Sequence, residues 1–341
     1  MVVSRSLAGP VDLAQCSRAE LLALLPQIGG TPLVPVKVLI PEARWILLKL
    51  EGANPGGSLK DRIARFMIDQ LRGRQQLPRG ATLVDSTSGN FGIALAWLAR
   101  AQGFRFIAVS DPKLTSENAQ RLKDLDAHVE IVQERDTAGG WLLTRIGRAR
   151  EIAQTEGAVW VNQYSNRDNP RAHYLETGPE LLRQVTPPLQ AVFVPASTGG
   201  TLAGLGAFLK RHSPQTRVIA VDGEGSSLFG GCLGPRAVNG LGSSRRSEFL
   251  SLDLYDDVVR VGGQEAFDYC RDLRRSTGIE VGGSAGAAVA ACVAYLQLHS
   301  EISTAVCICP DHGANYRSSI FNDEWMKQQG YETRSATLVA S

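Results

Sequence analysis

Short apolar runs alternate along the chain with longer segments in which apolar residues recur every three or four positions. The short runs are rich in β-branched residues and contain few polar positions, a pattern typical of strands buried on both faces of a sheet. The longer segments have the period of an amphipathic helix. Strands are predicted at 45–50, 82–85, 105–110, 128–133, 159–162, 190–195, 217–222, 257–261 and 304–309.

The helical pattern falls between these strands and completes a regular alternation. Such alternation favours crossover connections and mostly parallel sheets, and 341 residues are enough for two domains of this kind. Residues 223–251 hold seven glycines and are expected to form a long irregular segment. Helices are predicted at 60–72, 90–102, 117–126, 139–154, 171–184, 200–211, 264–275 and 284–299.

Composition narrows the range of partners. Lys and Arg total 36 against 34 Asp and Glu, so no broad basic face is expected for nucleic acid or an anionic membrane. No apolar run reaches the ~20 residues of a membrane span, and the N-terminus has no secretory-signal pattern. The six cysteines lack disulfide or metal-site spacing. We therefore expect a cytoplasmic protein with no membrane contact and no metal.

Three clusters of glycine with hydroxyl residues stand immediately before predicted helices. They are Asn-Pro-Gly-Gly-Ser at 54–58, Ser-Thr-Ser-Gly-Asn at 86–90 and Ser-Thr-Gly-Gly-Thr at 197–201. Backbone N–H groups and hydroxyls at a helix N-terminus bind phosphate or carboxylate. The chain has no Gly-Lys-Ser/Thr motif and no Gly-x-Gly-x-x-Gly motif after a strand, which excludes the usual nucleotide sites. The pattern indicates a small anionic ligand held from several sides.

The segment 49–62, with Asn-Pro-Gly-Gly-Ser-Leu-Lys at its centre, resembles the cofactor-lysine signature of fold-type II pyridoxal-phosphate enzymes, the cysteine synthase and cystathionine β-synthase family. Four further motifs follow the order of that family. They are Gly-Thr-Pro-Leu at 30–33, Thr-Ser-Gly-Asn-Phe-Gly at 87–92, the cluster at 197–201 and Gly-Ser-Ala-Gly at 283–286. Together the motifs make the resemblance run from about residue 30 to residue 325.

The resemblance implies an α/β fold of the tryptophan synthase β type, with two three-layer αβα domains and mostly parallel sheets. The large domain, which binds pyridoxal 5'-phosphate, would comprise 1–52 and 164–341, and a small mobile substrate-binding domain 53–163. Lys60 would bind the cofactor covalently and act as the catalytic base. The substrate carboxylate would be bound by Thr87, Ser88 and Gly89, and Gln163 would also bind the substrate. The other cofactor-binding residues would be Asn90, Ser197, Thr198, Gly199, Gly200, Thr201 and Ser284.

Several of these residues also allow other interpretations. Ser88 and Asn90 could cap the following helix, and Lys60 taken alone would be a solvated surface lysine. Residues 282–286 also fit the Gly-x-Ser-x-Gly elbow of hydrolases, which requires a strand running directly into Ser284. The preceding residues 276–280 form a poor strand, so we favour the cofactor role. A serine hydroxyl beneath the pyridine nitrogen suits β-replacement better than transamination.

Segments outside the shared motifs, at 110–113, 139–146, 160–164 and 240–245, resemble the N-(2-amino-2-carboxyethyl)-L-glutamate synthase branch of the family. That branch supplies 2,3-diaminopropionate for siderophores or peptide natural products. The resemblance implies O-phospho-L-serine and L-glutamate as substrates, phosphate as leaving group and a homodimer. The alternatives are a cysteine synthase or cystathionine β-synthase, which use sulfur nucleophiles, and a non-catalytic scaffold.

Two positions depart from the cysteine synthase pattern. Ser197 stands where that branch usually has Gly, and Tyr164 where it has Phe. Both changes add a hydroxyl. The planar guanidinium of Arg145 offers several N–H donors in a geometry that matches phosphate and carboxylate. We hypothesise that Arg145, Tyr164 and Ser197 bind the substrate phosphate or the glutamate carboxylates. A structural arginine on the helix surface is the alternative for Arg145.

Overall fold

The computed structural model describes residues 11–38, 44–136, 139–186, 188–333 and 339–340. The first ten residues, on which the expectation about a secretory signal partly rests, lie outside them. The described chain divides into two compact units. Unit 1 contains Gly30–Ala53 and the chain from His173 onward, and unit 2 contains Val11–Gly29 and Asn54–Ala172.

Strands and helices alternate through most of the chain, as the hydrophobic pattern predicts. The strands are β1 (Leu33–Val38), β2 (Arg44–Leu50), β3 (Thr82–Ser86), β4 (Arg105–Ser110), β5 (His128–Ile131), β6 (Val159–Trp160), β7 (Ala191–Pro195), β8 (Arg217–Gly223), β9 (Asp257–Val261), β10 (Ala305–Cys309) and β11 (Val339–Ala340). The helices are α1 (Arg18–Leu24), α2 (Lys60–Gly73), α3 (Asn90–Gln102), α4 (Ser116–Asp124), α5 (Leu142–Glu156), α6 (Asp168–Ala172), α7 (Gly178–Gln184), α8 (Gly200–His212), α9 (Gly263–Thr277), α10 (Gly283–Leu298) and α11 (Asp323–Gln328).

Unit 1 is built on a sheet with the strand order β11-β1-β2-β10-β7-β8-β9. The pairs β11–β1 and β1–β2 are antiparallel, and the others are parallel. The sequence of strand β7 is apolar throughout because the strand faces a helix layer on each side. Phe193 packs with residues of α9 and α10, whereas Val192 and Val194 pack with residues of α7 and α8.

Unit 2 is built on a parallel sheet with the order β5-β4-β3-β6. Leu83 faces a core shared with α2 and α3, and Val84 faces Ala149 and Ile152 of α5. Each unit is therefore a three-layer αβα structure with a mostly parallel sheet, which confirms the predicted fold class. Within the described residues, no helix is both long and apolar enough to cross a membrane.

The observed elements differ from the predicted ones where local signals conflict. The helix predicted at 171–184 is interrupted by the π-helical turn His173–Thr177, after which α7 begins with Gly178 and Pro179. Strand β1 was not predicted, because Pro35 and Lys37 interrupt its apolar pattern. Helices α1 and α11 are too short to show a clear period. The segment 223–251 contains no helix or strand beyond the last residue of β8, as expected.

The N-terminal segment packs with unit 2. Leu21 of α1 is fully buried in the core that contains α3, and a capping box formed by Ser17 and Glu20 begins the helix. The prediction grouped residues 1–52 with the larger domain and assigned 53–163 to the smaller one, so its boundaries differ from these units at 11–29, 53 and 164–172. The mobility and substrate-binding role of the smaller domain remain predictions.

Candidate active site

Lys60 is the first residue of α2 in unit 2, and a tight turn precedes it. The turn reverses the chain through Gly57, which has φ +84° and therefore favours glycine. Asp61 is fully buried and accepts hydrogen bonds from the Gly56 N–H at 2.5 Å and the Trp97 Nε1–H at 3.0 Å. A Cβ on Gly56 would lie 2.9 Å from Trp97 Nε1, so this position requires glycine. The side chain of Asp61 thus determines where Lys60 starts its helix.

The loop 87–89 joins the end of β3 to the start of α3. The Thr87 N–H donates to Val109 O at 2.9 Å, and Ser88 is exposed. Helix α3 begins after Gly89 without a side-chain cap, so the capping interpretation of Ser88 and Asn90 is wrong. The N–H groups of an uncapped first turn need an outside acceptor such as water or an anion.

Helix α4 connects the loop 87–89 with the Lys60 turn. Asn118 Nδ2 donates to Ser88 O at 3.4 Å, and Arg121 Nη2 donates to Gly56 O at 3.4 Å. Both segments also stand at the helix N-termini that border the carboxyl edge of the parallel sheet. Open parallel sheets bind their ligands at that edge.

Gln163 lies just beyond β6 and is held by buried hydrogen bonds. Its Nε2 donates to Ser86 O at 2.8 Å, and its backbone N–H donates to Asp85 Oδ2 at 3.2 Å. Asp85 also accepts from Trp160 Nε1 at 3.1 Å. Complete burial of this carboxylate outweighs its hydrogen bonds and raises the pKa of Asp85 to about 7. Tyr164 follows Gln163 in the same turn and is half-buried.

The replacement Asp85→Asn is expected to change how stability depends on pH. The raised pKa means that the folded protein binds this proton more tightly than the unfolded chain, so stability falls as pH rises from about 4 to 7. A shift of about three pKa units corresponds to about 4 kcal/mol. About two of these three units fall between pH 5 and pH 8, so over that range the free energy of unfolding of Asp85→Asn, relative to the wild type, should grow by up to about 3 kcal/mol.

Urea unfolding at several pH values measures this difference. Exposed Asp124 supplies the control, because Asp124→Asn should follow the wild-type pH profile. Parallel profiles for Asp85→Asn and the wild type would contradict the prediction.

Arg145 in the first turn of α5 is buried, with 7% of its surface exposed. The interpretation as a surface arginine is therefore wrong. Its Nη1 lies 3.1 Å from Asp111 Oδ2, but neither Nη1 nor Nε has a hydrogen-bond partner among the described residues. The same holds for the buried hydroxyls of Ser86 and Ser110, at the carboxyl ends of β3 and β4. Buried donors without acceptors are uncommon in proteins, and a bound anion would satisfy them.

Ser197 to Thr201 form a cup in unit 1 between the end of β7 and the start of α8. Gly199 has φ +87° and carries no side chain to cap the helix, and the Gly200 N–H donates to Thr198 Oγ1 at 3.4 Å. Ser247 Oγ donates to Thr198 O at 2.5 Å and closes the cup from the irregular segment. A Cβ on Gly199 would lie 2.8 Å from Ser247 Cβ. The close approach and the left-handed backbone both require glycine here, and they leave the first turn of α8 open to an anion.

Ser284 stands in the first turn of α10 and is 4% exposed. Val281 pairs with His312, which places the start of α10 at the carboxyl end of β10. Because β10 and β7 are parallel neighbours, Ser284 and the 197–201 cup lie along one edge of the sheet. No strand runs into Ser284, so the geometry of a hydrolase elbow is not present at this serine.

His312 and Cys270 have structural roles. His312 Nδ1 accepts from the Ala314 N–H at 3.0 Å, and burial lowers the pKa of His312. Burial raises the pKa of Cys270 to about 12, which keeps this thiol protonated. In the part of the chain that the structure describes, no three His, Cys, Asp or Glu side chains are grouped to hold a metal.

The structure places the predicted residues in two groups. Lys60, the loop 87–90, Arg145, Gln163 and Tyr164 belong to unit 2, and the cup 197–201 and Ser284 belong to unit 1. Sequence reasoning missed the supporting side chains of Asp61, Asp85 and Ser247. Of these only Asp61 carried a signal, as the neighbour of Lys60.

Comparison with known proteins gives a consistent result. The family model for pyridoxal-phosphate dependent enzymes matches residues 24–311. An N-(2-amino-2-carboxyethyl)-L-glutamate synthase from Ralstonia nicotianae is 41% identical over 301 residues, which cover 88% of this chain and 89% of the relative.

Solved structures agree with this match. O-ureido-L-serine synthase superposes with a TM-score of 0.81 at 31% identity, covering 89% of this chain and 98% of the other. A hydrogen sulfide-producing enzyme from Fusobacterium nucleatum superposes with a TM-score of 0.80 at 28% identity, covering 86% and 98%.

The residues present fit the groups of the cofactor that this family uses. A helix N-terminus with hydroxyls and a left-handed glycine suits a phosphate, a lysine at a helix start suits an aldehyde, and a buried serine suits a ring nitrogen. The family model spans most of the chain, and the relatives match nearly their whole length. The chain therefore belongs to the pyridoxal-phosphate dependent enzymes, with pyridoxal 5'-phosphate as its cofactor.

Proposed function

We propose that this enzyme replaces the phosphate of O-phospho-L-serine by the amino group of L-glutamate, giving N-(2-amino-2-carboxyethyl)-L-glutamate and inorganic phosphate. The observation that carries the proposal is the 41% identity to a synthase of that product over most of both chains. The buried Arg145 supports it, since these substrates carry more negative charge than those of a thiol reaction. Its Nε and Nη1 have no hydrogen-bond acceptor among the described residues, although Nη1 is ion-paired with Asp111. The product would be a precursor of 2,3-diaminopropionate for siderophores or peptides.

Bound pyridoxal phosphate withdraws electrons from the α-carbon of an amino acid, which allows the α-proton and the β-substituent to leave. Lys60 would bind the cofactor through Nζ and then take the α-proton. The turn held by Asp61 keeps the backbone of Lys60 at the start of α2. The loop 87–89 and Gln163 would bind the substrate carboxylate, and Asn90 would bind the cofactor ring.

The cup 197–201 would hold the cofactor phosphate through backbone N–H groups and hydroxyls. Ser284 would face the ring nitrogen, where a neutral hydroxyl leaves the nitrogen unprotonated. The ring then withdraws electrons less strongly than with a carboxylate partner, which suits replacement at the β-carbon. Arg145, Tyr164 and Ser197 would bind the leaving phosphate or the glutamate carboxylates. Arg145 suits either anion through its planar fork of donors.

A sulfur nucleophile is the second candidate, because the motifs at 30–33, 54–60 and 87–92 also resemble cysteine synthase and cystathionine β-synthase, which use such nucleophiles. The two functions differ in the second substrate. Absorption spectra of the purified holoenzyme, recorded before and after O-phospho-L-serine and then after each nucleophile, separate them. We expect the cofactor band to shift with O-phospho-L-serine and to return with L-glutamate. A return with sulfide or homocysteine but not with glutamate would reject the proposal.

Within the same experiment, Arg145→Ala is expected to weaken apparent binding of the anionic substrates by about tenfold to a hundredfold, since a charge-assisted hydrogen bond is lost. Arg145→Lys should recover part of the loss, because lysine keeps the charge without the planar fork. Exposed Arg105 on β4 supplies the matched control, and Arg105→Ala should bind both substrates normally. Full activity of Arg145→Ala with both substrates would show that the assignment is wrong.

The family resemblance also supports a homodimer in the cytoplasm, which we include in the proposal. Light scattering of the purified protein measures the oligomeric state directly. A mass of one chain would reject the dimer.

A further inference from the structure

His173 is a fully buried histidine in unit 1 that no motif assigns. It begins the π-helical turn His173–Thr177, between α6 and α7. Its Nδ1 lies 2.9 Å from Thr177 Oγ1, and its Nε2 lies 3.2 Å from Thr201 Oγ1. Thr201 is the last residue of the phosphate cup. The imidazole ring therefore joins the cup to a turn that precedes it by 28 residues in the sequence.

The turn and the cup are held together by close packing. Gly178 follows the π-helical turn, and a Cβ there would lie 2.5 Å from Phe208 Cγ of α8. Tyr174, the neighbour of His173, packs edge-on against the same Phe208 with ring centroids 5.6 Å apart. π-Helical turns are rare in proteins, and many of those that occur lie at functional sites. Here the turn places the His173 ring beside the first turn of α8.

The tautomer of His173 decides what the hydroxyl of Thr201 can do. If Nε2 carries no proton, it accepts the Thr201 O–H, and that hydroxyl then offers only lone pairs to the cup. If Nε2 carries the proton, it donates to Thr201 Oγ1, and the Thr201 O–H can donate to a phosphate oxygen. The second arrangement requires Nδ1 to accept from the Thr177 hydroxyl, and the 2.9 Å distance permits this.

We propose that His173 is a positioning residue that donates from Nε2 to Thr201 Oγ1 and so directs the Thr201 hydroxyl to the cofactor phosphate. The proposal rests on the assignment of 197–201 as the phosphate cup under the proposed function. Thr177 fixes the tautomer, as the groups behind metal-bound histidines do.

Two replacements of His173 separate the two ring nitrogens. Glutamine places an amide nitrogen near the position of Nε2, and asparagine places one near Nδ1. We expect His173→Asn to raise the dissociation constant of pyridoxal phosphate, titrated into apoprotein, by about tenfold. His173→Gln should stay within about twofold of the wild type, because the donor to Thr201 is kept. The ³¹P resonance of the bound cofactor should move in His173→Asn and not in His173→Gln.

Thr177→Val tests the same contact without changing the histidine. The isosteric side chain removes the hydroxyl opposite Nδ1, so the tautomer is no longer fixed and the dissociation constant should rise by about threefold. Exposed His128 on β5 supplies the control, and His128→Asn should bind the cofactor like the wild type.

The outcomes separate this inference from the proposed function. Equal loss of cofactor affinity in His173→Asn and His173→Gln, or wild-type affinity in His173→Asn, would overturn the positioning role. Failure of the wild-type apoprotein to bind pyridoxal phosphate would overturn the assignment of the cup itself. Unfolding temperatures of the apoproteins show whether a variant is folded, and Thr177→Val remains informative if a histidine variant is not.

Discussion

Lys60→Ala is expected to lower the rate of β-replacement by a factor on the order of 10³ or more, because the cofactor anchor and the base are lost together. The fold should be retained, since hydrogen bonds from Gly56 and Trp97 to the Asp61 carboxylate hold the turn before Lys60. Borohydride reduction followed by peptide mass mapping should label Lys60 with the cofactor in the wild type. No other peptide should carry that label, and Lys60→Ala should carry none.

A lysine outside the turn supplies the control. Lys123 is exposed in the last turn of α4, and Lys123→Ala should keep both the label and the activity. Wild-type turnover in Lys60→Ala, or a label on a different lysine, would show that the signature at 54–60 has been misread.

Gly286→Ala is expected to destabilise the protein, although alanine normally strengthens a helix interior by about 1 kcal/mol relative to glycine. A Cβ on Gly286 of α10 would lie 2.5 Å from Cys270 Sγ and would overlap the carbonyl oxygen of Ala266 in α9. The carbonyl belongs to the backbone, so α9 and α10 must separate. Overpacking of this kind costs roughly 1–3 kcal/mol, which exceeds the gain in propensity.

Urea unfolding followed by tryptophan fluorescence measures this effect. The matched control is Gly147 in α5, where a Cβ would meet nothing within 4 Å. Gly147→Ala should be neutral or stabilising by up to about 1 kcal/mol. Equal stability of the two variants would contradict the close approach of α9 and α10. Because Ser284 lies one turn or less from Gly286, Gly286→Ala should also weaken cofactor binding.

The sequence was most informative where burial is uniform. Strand β4 lies between β3 and β5 and four of its six residues are buried, so its apolar run matches the observed ends. Prediction failed where two signals conflict. The apolar period of 171–184 continues across His173–Thr177, but the backbone there is π-helical. The spacing of apolar residues does not show to which carbonyl oxygen each backbone N–H donates.

The candidate site shows the same division between chain and fold. By itself the sequence determined the cofactor class through its family motifs, and it predicted Lys60 as the residue that binds the cofactor. It also determined the glycines, because the turns at 54–58 and 197–201 need left-handed backbone and close approach that few residue types permit. Only the tertiary structure showed that Arg145 is buried and that its Nε and Nη1 lack hydrogen-bond acceptors among the described residues. It also showed that Asp85 accepts a hydrogen bond from the Gln163 N–H and that His173 is hydrogen-bonded to Thr201. These contacts join residues 28 to 78 positions apart. Their hydrogen bonds depend on how helices pack against a sheet, which no local pattern of residues encodes.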